Sequence, residues 1–175
     1  MVKDYQEGRE CSPKDAEDLQ LAMHSLALLH EELFYPEEDL PEGLHRFDLE
    51  ADVERQNKGL KKIRSFIRGR GRKTEFELAL LDAYNVFLSQ ALKVEERIKE
   101  EDFGGLYAEI EAKRQFAHGD YQYHNVLFGK EQAAVINFEK CQWDSRVRDV
   151  ALFMRKTLEK TDWDVALGAK LLEEY

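Results

Sequence analysis

Cysteine is almost missing from this chain. Cys11 and Cys141 are the whole supply among 175 residues, which excludes a framework of several disulfide bridges and makes a reduced intracellular setting the default. Long apolar runs are missing too: no stretch approaches the ~18 apolar residues of a membrane-spanning helix. Met1-Val2-Lys3-Asp4-Tyr5-Gln6-Glu7 has none of the apolar core of a secretory leader, so the expectation is cytoplasmic synthesis without a membrane span. An excess of positive charge is the third absence. With 26 Lys and Arg against 36 Asp and Glu, the net charge is −10, which argues against indiscriminate nucleic-acid binding and favours solubility. Repeats and low-complexity segments are not visible. What remains is 43% hydrophobic and 11% aromatic, enough for one globular domain with a real core.

Hydrophobic periodicity predicts mostly helix. Ser12-Pro13-Lys14-Asp15 reads as a helix start, and Leu19, Met23, Leu26, Leu29 and Leu33 follow at three- and four-residue steps. That helix should end before Pro36, with a solvated loop from Tyr35 to about Gly43. A second helix is expected over about 46 to 68, burying Leu60, Ile63 and Ile67. A third should run over about 74 to 99 through Phe76, Leu80, Tyr84, Phe87, Ala91 and Val94, with Gly69-Arg70-Gly71 as the turn between them. A short helix after Gly104-Gly105 carries Leu106 and Ile110. Asn125–Phe128 and Ala133–Phe138 then read as two strands of a hairpin around Gly129-Lys130-Glu131. Two helices, about 148 to 160 and 163 to 173, close the chain. The predicted order is helices first, then strands.

His118-Gly119-Asp120-Tyr121-Gln122-Tyr123-His124-Asn125, followed by Ile136-Asn137-Phe138-Glu139, carries the most information. Phosphoryl transfer is mostly positioning and charge neutralisation: a carboxylate orients the attacking hydroxyl, and an amide oxygen five residues on meets Mg²⁺. Asp120 and Asn125 fit those places. The next strand must bring a charged oxygen to the same hard cation, and there the chain holds Asn137, whose amide offers only a neutral one. Strand alternation puts Glu139 on the same side as Asn137, so it is a candidate replacement or second-metal ligand.

This pattern, with Arg148-Asp149-Val150-Ala151 after it, resembles the aminoglycoside phosphotransferase and choline kinase group, whose motifs are H-G-D-x-x-x-x-N, I-D-x-[DE] and D-[LV]-A. Within that group, Gly8-Arg9-Glu10-Cys11, the basic helical hairpin, His-Gly-Asp-Tyr-x-Tyr-His-Asn and Asn-Phe-Glu-Lys-Cys-x-Trp are similar to the CotS family of bacterial spore coat proteins. The resemblance implies Asp120 as catalytic base, His118 and Asn125 at the cofactor, and Asn125, Asn137 and Glu139 around the metal. Asp149 would hold the loop from below. It implies ATP and Mg²⁺ as cofactors, spore coat proteins as partners with deposition in the coat, or a small hydroxyl substrate if the lobe is active.

The fold it implies is the C-terminal lobe of the protein kinase-like fold, mainly α with a small β-hairpin. In it, residues 11–115 form a helical subdomain, 116–140 the catalytic-type loop and hairpin, and 148–175 the closing helices. The strand-rich lobe with its glycine-rich loop and lysine has no counterpart in the sequence, and Leu171–Tyr175 stop within a helical pattern. The expectation is therefore a single lobe with weakened catalysis, serving as a binding or assembly module. An active ATP:hydroxyl phosphotransferase is the alternative.

Other signals are plainer. Gly69-Arg70-Gly71-Arg72-Lys73-Thr74 has the wrong spacing for a phosphate loop and no strand before it. The segment Arg55–Lys73 holds nine basic residues and no acid, which reads as a solvated helix face. His24 and His30 read as packing or surface residues, and Cys141 as structural.

Overall fold

The computed structural model of the protein describes residues 6–33, 46–101, 103–130 and 133–175; the expected loop over Tyr35–Gly43 lies outside them. Contacts divide the chain into two units, Met1–Arg46 with Ala108–Tyr175, and Phe47–Tyr107.

The first unit is built on helix α1, Ala16–Glu32. Its cap is Asp15, whose carboxylate accepts from the Glu17 and Asp18 amides; Ser12 and Pro13, expected at the helix start, sit in the turn before it. The apolar stripe Leu19, Ala22, Met23 and Leu26 is fully buried. It packs with Tyr121, Tyr123 and Val126, with Val150 and Phe153 of α5 (Val147–Leu158), and with Leu171 of α6 (Val165–Glu174). The Tyr121 hydroxyl donates to the Ala22 carbonyl at 2.6 Å, fixing the loop to α1.

A strand not expected from the sequence, β1 (Arg9–Glu10), precedes α1 and pairs antiparallel with β3 (Val126–Phe128). Two residues are too short a run for alternation to register. Gly8 lets this strand pass close, since a Cβ there would meet Leu127 Cβ at 2.9 Å. Arg9 is anchored by a two-pronged bond to Asp18, Nη1–Oδ2 at 2.5 Å and Nη2–Oδ1 at 2.8 Å, which lowers the Asp18 pKa. β3 pairs antiparallel with β4 (Ala133–Val135), as the hairpin reading required. A second pair, β2 (Phe116–Ala117) with β5 (Gln142–Trp143), was also not foreseen; Phe116 stacks on Trp143 with ring centroids 4.2 Å apart.

The second unit is a helical hairpin, α2 (Leu49–Gly69) and α3 (Glu75–Glu100), followed by the start of α4 (Phe103–Ala112). Thr74 and Glu77 form a reciprocal capping box that starts α3. Across the hairpin, Asn57 Nδ2 donates to the Ala91 carbonyl at 3.3 Å and to Glu95 Oε2 at 2.7 Å. Only Asn57, Ile67, Glu77, Tyr84 and Ile98 are buried in α2 and α3. Ile63, expected to be buried, is exposed, and so are Phe76, Phe87 and Val94 along α3, because two packed helices cover only the seam between them. α4 also begins before Gly104-Gly105 and takes both glycines into the helix.

Candidate active site

The start of the loop from His118 to Asn125 is held by a buried carboxylate. Asp149, in the first turn of α5 and fully inaccessible, accepts from the His118 amide through Oδ2 at 2.6 Å and from the Gly119 amide through Oδ1 at 2.9 Å. His30 Nε2 lies 3.1 Å from the same Oδ2, and Tyr175 Oη lies 2.9 Å from His30 Nδ1. A carboxylate only accepts, so the His30 Nε2 carries the proton there. The sequence reading named Asp149 for this loop, but it missed His30 and Tyr175, which are 119 and 145 residues from their partners in order. Nothing in local spacing signals such contacts.

Gly119 has φ 77°, and a Cβ on it would meet the Lys140 carbonyl oxygen at 2.1 Å. Only glycine fits there. The chain crossing above it is the turn that follows Asn137, whose own backbone is left-handed, φ 69° and ψ 59°. Asparagine accepts that region more readily than most residues. This bend corrects the strand reading: β4 ends at Val135, and Phe138–Lys140 form a 3₁₀ turn. Alternation therefore does not place Glu139 beside Asn137.

His118, expected at the cofactor, is instead wholly buried. Its Nε2 lies 2.9 Å from the Ile136 carbonyl, its Nδ1 accepts from the Asp120 amide at 3.2 Å, and its ring stands edge-on to Phe138 with centroids 4.5 Å apart. Burial lowers its pKa, outweighing the Ile136 carbonyl, which raises it. Its ring contacts are to the Ile136 carbonyl, the Asp120 amide and Phe138, so it braces the loop against the turn after Asn137.

Asp120, Asn125 and Asn137 are brought together. Asn125 Nδ2 donates to the Asp120 backbone carbonyl at 2.8 Å, and Asn137 Nδ2 donates to Asn125 Oδ1 at 2.9 Å. The Asp120 carboxylate turns the other way, accepting from Lys140 Nζ at 2.8 Å and from Gln122 Nε2 at 3.2 Å. Lys140 was not foreseen; three residues past Asn137, it reaches Asp120 only because of the turn.

This donor set does not fit Mg²⁺. A hard divalent cation draws on anionic oxygens in near-octahedral array, whereas Asn125 offers a neutral oxygen that already accepts one N–H, and Asn137 turns its N–H rather than its oxygen toward it. The carboxylate nearby is paired with an ammonium group. Among the described residues no three His, Cys, Asp or Glu side chains are grouped as metal ligands. A cleft of about 720 Å³ opens between α1 and the β3–β4 hairpin, lined by Arg9, Leu21, His24, Leu28, Phe128 and Phe138 among others. It contains none of Asp120, Asn125 and Asn137. We locate the site by the convergence of side chains rather than by the size of this cleft.

Comparison with known proteins gives the family and the fold. The sequence matches the model of the phosphotransferase enzyme family over residues 2–175. The fold is similar to an aminoglycoside phosphotransferase from Alicyclobacillus acidocaldarius, with TM-score 0.77 and 20% identity over 98% of this chain and 50% of that one. It is also similar to an ethanolamine kinase from Plasmodium vivax, with TM-score 0.55 and 15% identity over 98% and 48%. The chain thus spans about half the length of each. No curated protein matches it.

Proposed function

The chain belongs to the phosphotransferase enzyme family, and on that premise we propose that it acts as a kinase-like C-terminal lobe with impaired catalysis, serving as a binding or assembly module in a bacterial spore coat. The observation that carries the impairment is the hydrogen bond that Asn137 Nδ2 donates to Asn125 Oδ1 at 2.9 Å. Two acceptor oxygens facing one point would need a cation between them; a donor facing an acceptor needs none. The Lys140–Asp120 pair points the same way, since a hydroxyl seeking the Asp120 carboxylate must displace an ammonium group. The spore coat assignment rests on the motifs around Arg9, Tyr121–Asn125 and Phe138–Trp143.

A second reading, an ATP-dependent phosphotransferase acting on a small hydroxyl substrate, is favoured by one observation. Asp149 still holds the loop amides in place, so the frame for catalysis is built even where the charges are not.

The test is a melting experiment on the chain with Mg·ATP, beside Asn137→Asp. A ligand at a hundredfold its dissociation constant adds about 2.7 kcal/mol. We expect no shift for the natural chain and an Mg²⁺-dependent shift for Asn137→Asp. A nucleotide- and Mg²⁺-dependent shift in the natural chain would overturn the impaired cofactor site and favour the second reading. For the coat role, a fluorescent fusion in a sporulating host should collect at the coat; one that stays diffuse removes that assignment.

A further inference from the structure

Among the described residues, the α2–α3 hairpin leaves a long apolar face exposed. On α3, Phe76, Phe87 and Val94 are 74%, 54% and 51% exposed. Their spacings of eleven and seven residues are close to whole helical turns, so they form one stripe. On α2, Ile63 is 49% and Phe66 67% exposed. Ile63 is rotated from the seam residues Asn57 and Ile67 in the same sense as the α3 stripe is rotated from Tyr84. On antiparallel helices this puts both on one side of the hairpin. With aromatic side chains of roughly 150–250 Å² each, the bare apolar area is roughly 500 Å². That lies at the upper end of what monomers leave uncovered and would form the apolar centre of an interface to which each partner ordinarily gives ~800 Å², the rest being polar rim.

The charges say what covers it. Residues 47–107 carry twelve basic and twelve acidic side chains, but nine of the basic ones lie between Arg55 and Lys73, where there is no acid. The C-terminal part of α2 is therefore strongly positive, and α3 is acidic at Glu75, Glu77, Asp82, Glu95, Glu96 and Glu100. Within the hairpin only part of this is neutralised, by Arg70–Glu77, Lys99–Glu54 and short-range pairs. Lys62 and Asp82 have no ion-pair partner among the described residues. A polyanion or an anionic membrane would be drawn to Arg55–Lys73 but repelled by a chain of net charge −10. A second copy carries the same −10, but the hairpin it would present has twelve basic and twelve acidic side chains, so the facing surface is neutral overall and offers acid where this one offers base.

We propose that the apolar face of the α2–α3 hairpin pairs with the same face of a second copy, α2 of each copy lying over α3 of the other to form a four-helix bundle. A two-fold axis along the helices gives this arrangement; the alternative, α2 over α2, would set like charges together. The contacts of Asn57 with Ala91 and Glu95, and of Arg70 with Glu77, fix the height of one helix against the other. Residue 62 is thereby level with the mid-80s. Lys62 of one copy then lies within reach of Asp82 of the other, and such interfaces are isologous by construction.

Sedimentation equilibrium on the full chain tests this without any assay of activity, so it stands or falls apart from the phosphotransferase reading. The natural chain should be a dimer with a micromolar or tighter dissociation constant. Phe76→Glu with Phe87→Glu should give a monomer of unchanged helical circular dichroism, whereas Leu172→Glu, on α6, should leave the dimer intact. Lys62→Glu and Asp82→Lys should each weaken association about tenfold, and the two together should restore it. A natural chain that stays monomeric at hundreds of micromolar overturns the proposal. So does a dimer that survives both Phe substitutions, or a charge-swapped pair that adds its defects instead of cancelling them.

Discussion

Helices α1 and α3 are both long and both striped with apolar residues, yet they fare differently. α1 buries Leu19, Ala22, Met23 and Leu26 almost completely, because α5, α6 and the Tyr121 loop surround it. α3 is longer, 26 residues against 17, but among the described residues of its unit it packs mainly on α2 and leaves Phe76, Phe87 and Val94 exposed. Amphipathic pattern therefore states which residues seek cover, not which find it. The candidate active site is built on the well-covered unit, where a buried carboxylate can hold backbone amides without competition from water.

The sharpest way to break this comparison is to truncate one phenylalanine in each unit. Phe153→Ala empties a fully buried position and should cost about 3–5 kcal/mol. Phe87→Ala, measured below the dissociation constant of any dimer, should cost less than about 1 kcal/mol. Urea titrations followed by fluorescence read the first directly, since Trp143 and Trp163 both lie in the first unit, and far-ultraviolet circular dichroism reads the second. Equal costs would dissolve the contrast.

The next effect concerns Asp149. Asp149→Ala leaves the His118 and Gly119 amides without their acceptor, at about 1–3 kcal/mol for each buried donor. Asp149→Asn should retain about half of the lost stability, because its one carbonyl can serve one of the two. Amide exchange at His118 and Gly119 should rise in both variants, while exchange within the hairpin stays unchanged. Acceleration spread evenly over all amides would mean that Asp149 supports the whole unit and not the loop in particular.

The smallest effect is in pH. The His118 pKa is lowered in the fold by burial, so the unfolded chain, titrating near 6.5, binds the proton first. Stability is then constant above that value and falls as pH drops from about 6.5 toward the folded value. His118→Gln removes this titration, and its urea midpoint should change less between about pH 7.5 and 5.5 than that of the natural chain. Parallel pH profiles would assign the slope to another group.

The helices were legible because periods of three and four residues persist for several turns, and the loop because its residue types and spacing are chemically demanding. The structure then supplied what neither pattern contains. β1, β2 and β5 are two residues each, and no alternation can be read from two. Asn137 reads as part of a strand, yet its left-handed backbone leads into a 3₁₀ turn, so alternation does not govern Glu139. Lys140 became a partner of Asp120 through that same bend. His30 looked like a packing histidine until α5 placed a carboxylate against its ring. In each case the missing information is a contact between distant segments.

The left-handed bend at residue 137 also makes the present state of the loop easy to reverse. Aspartate enters that region of backbone space about as readily as asparagine, so exchanging one terminal nitrogen for oxygen would require no rebuilding of the chain path. It would, however, set two oxygens face to face where a donor now meets an acceptor, creating an unmet demand for a positive ion. One functional group thus stands between a turn complete in itself and a turn that must recruit something from solution.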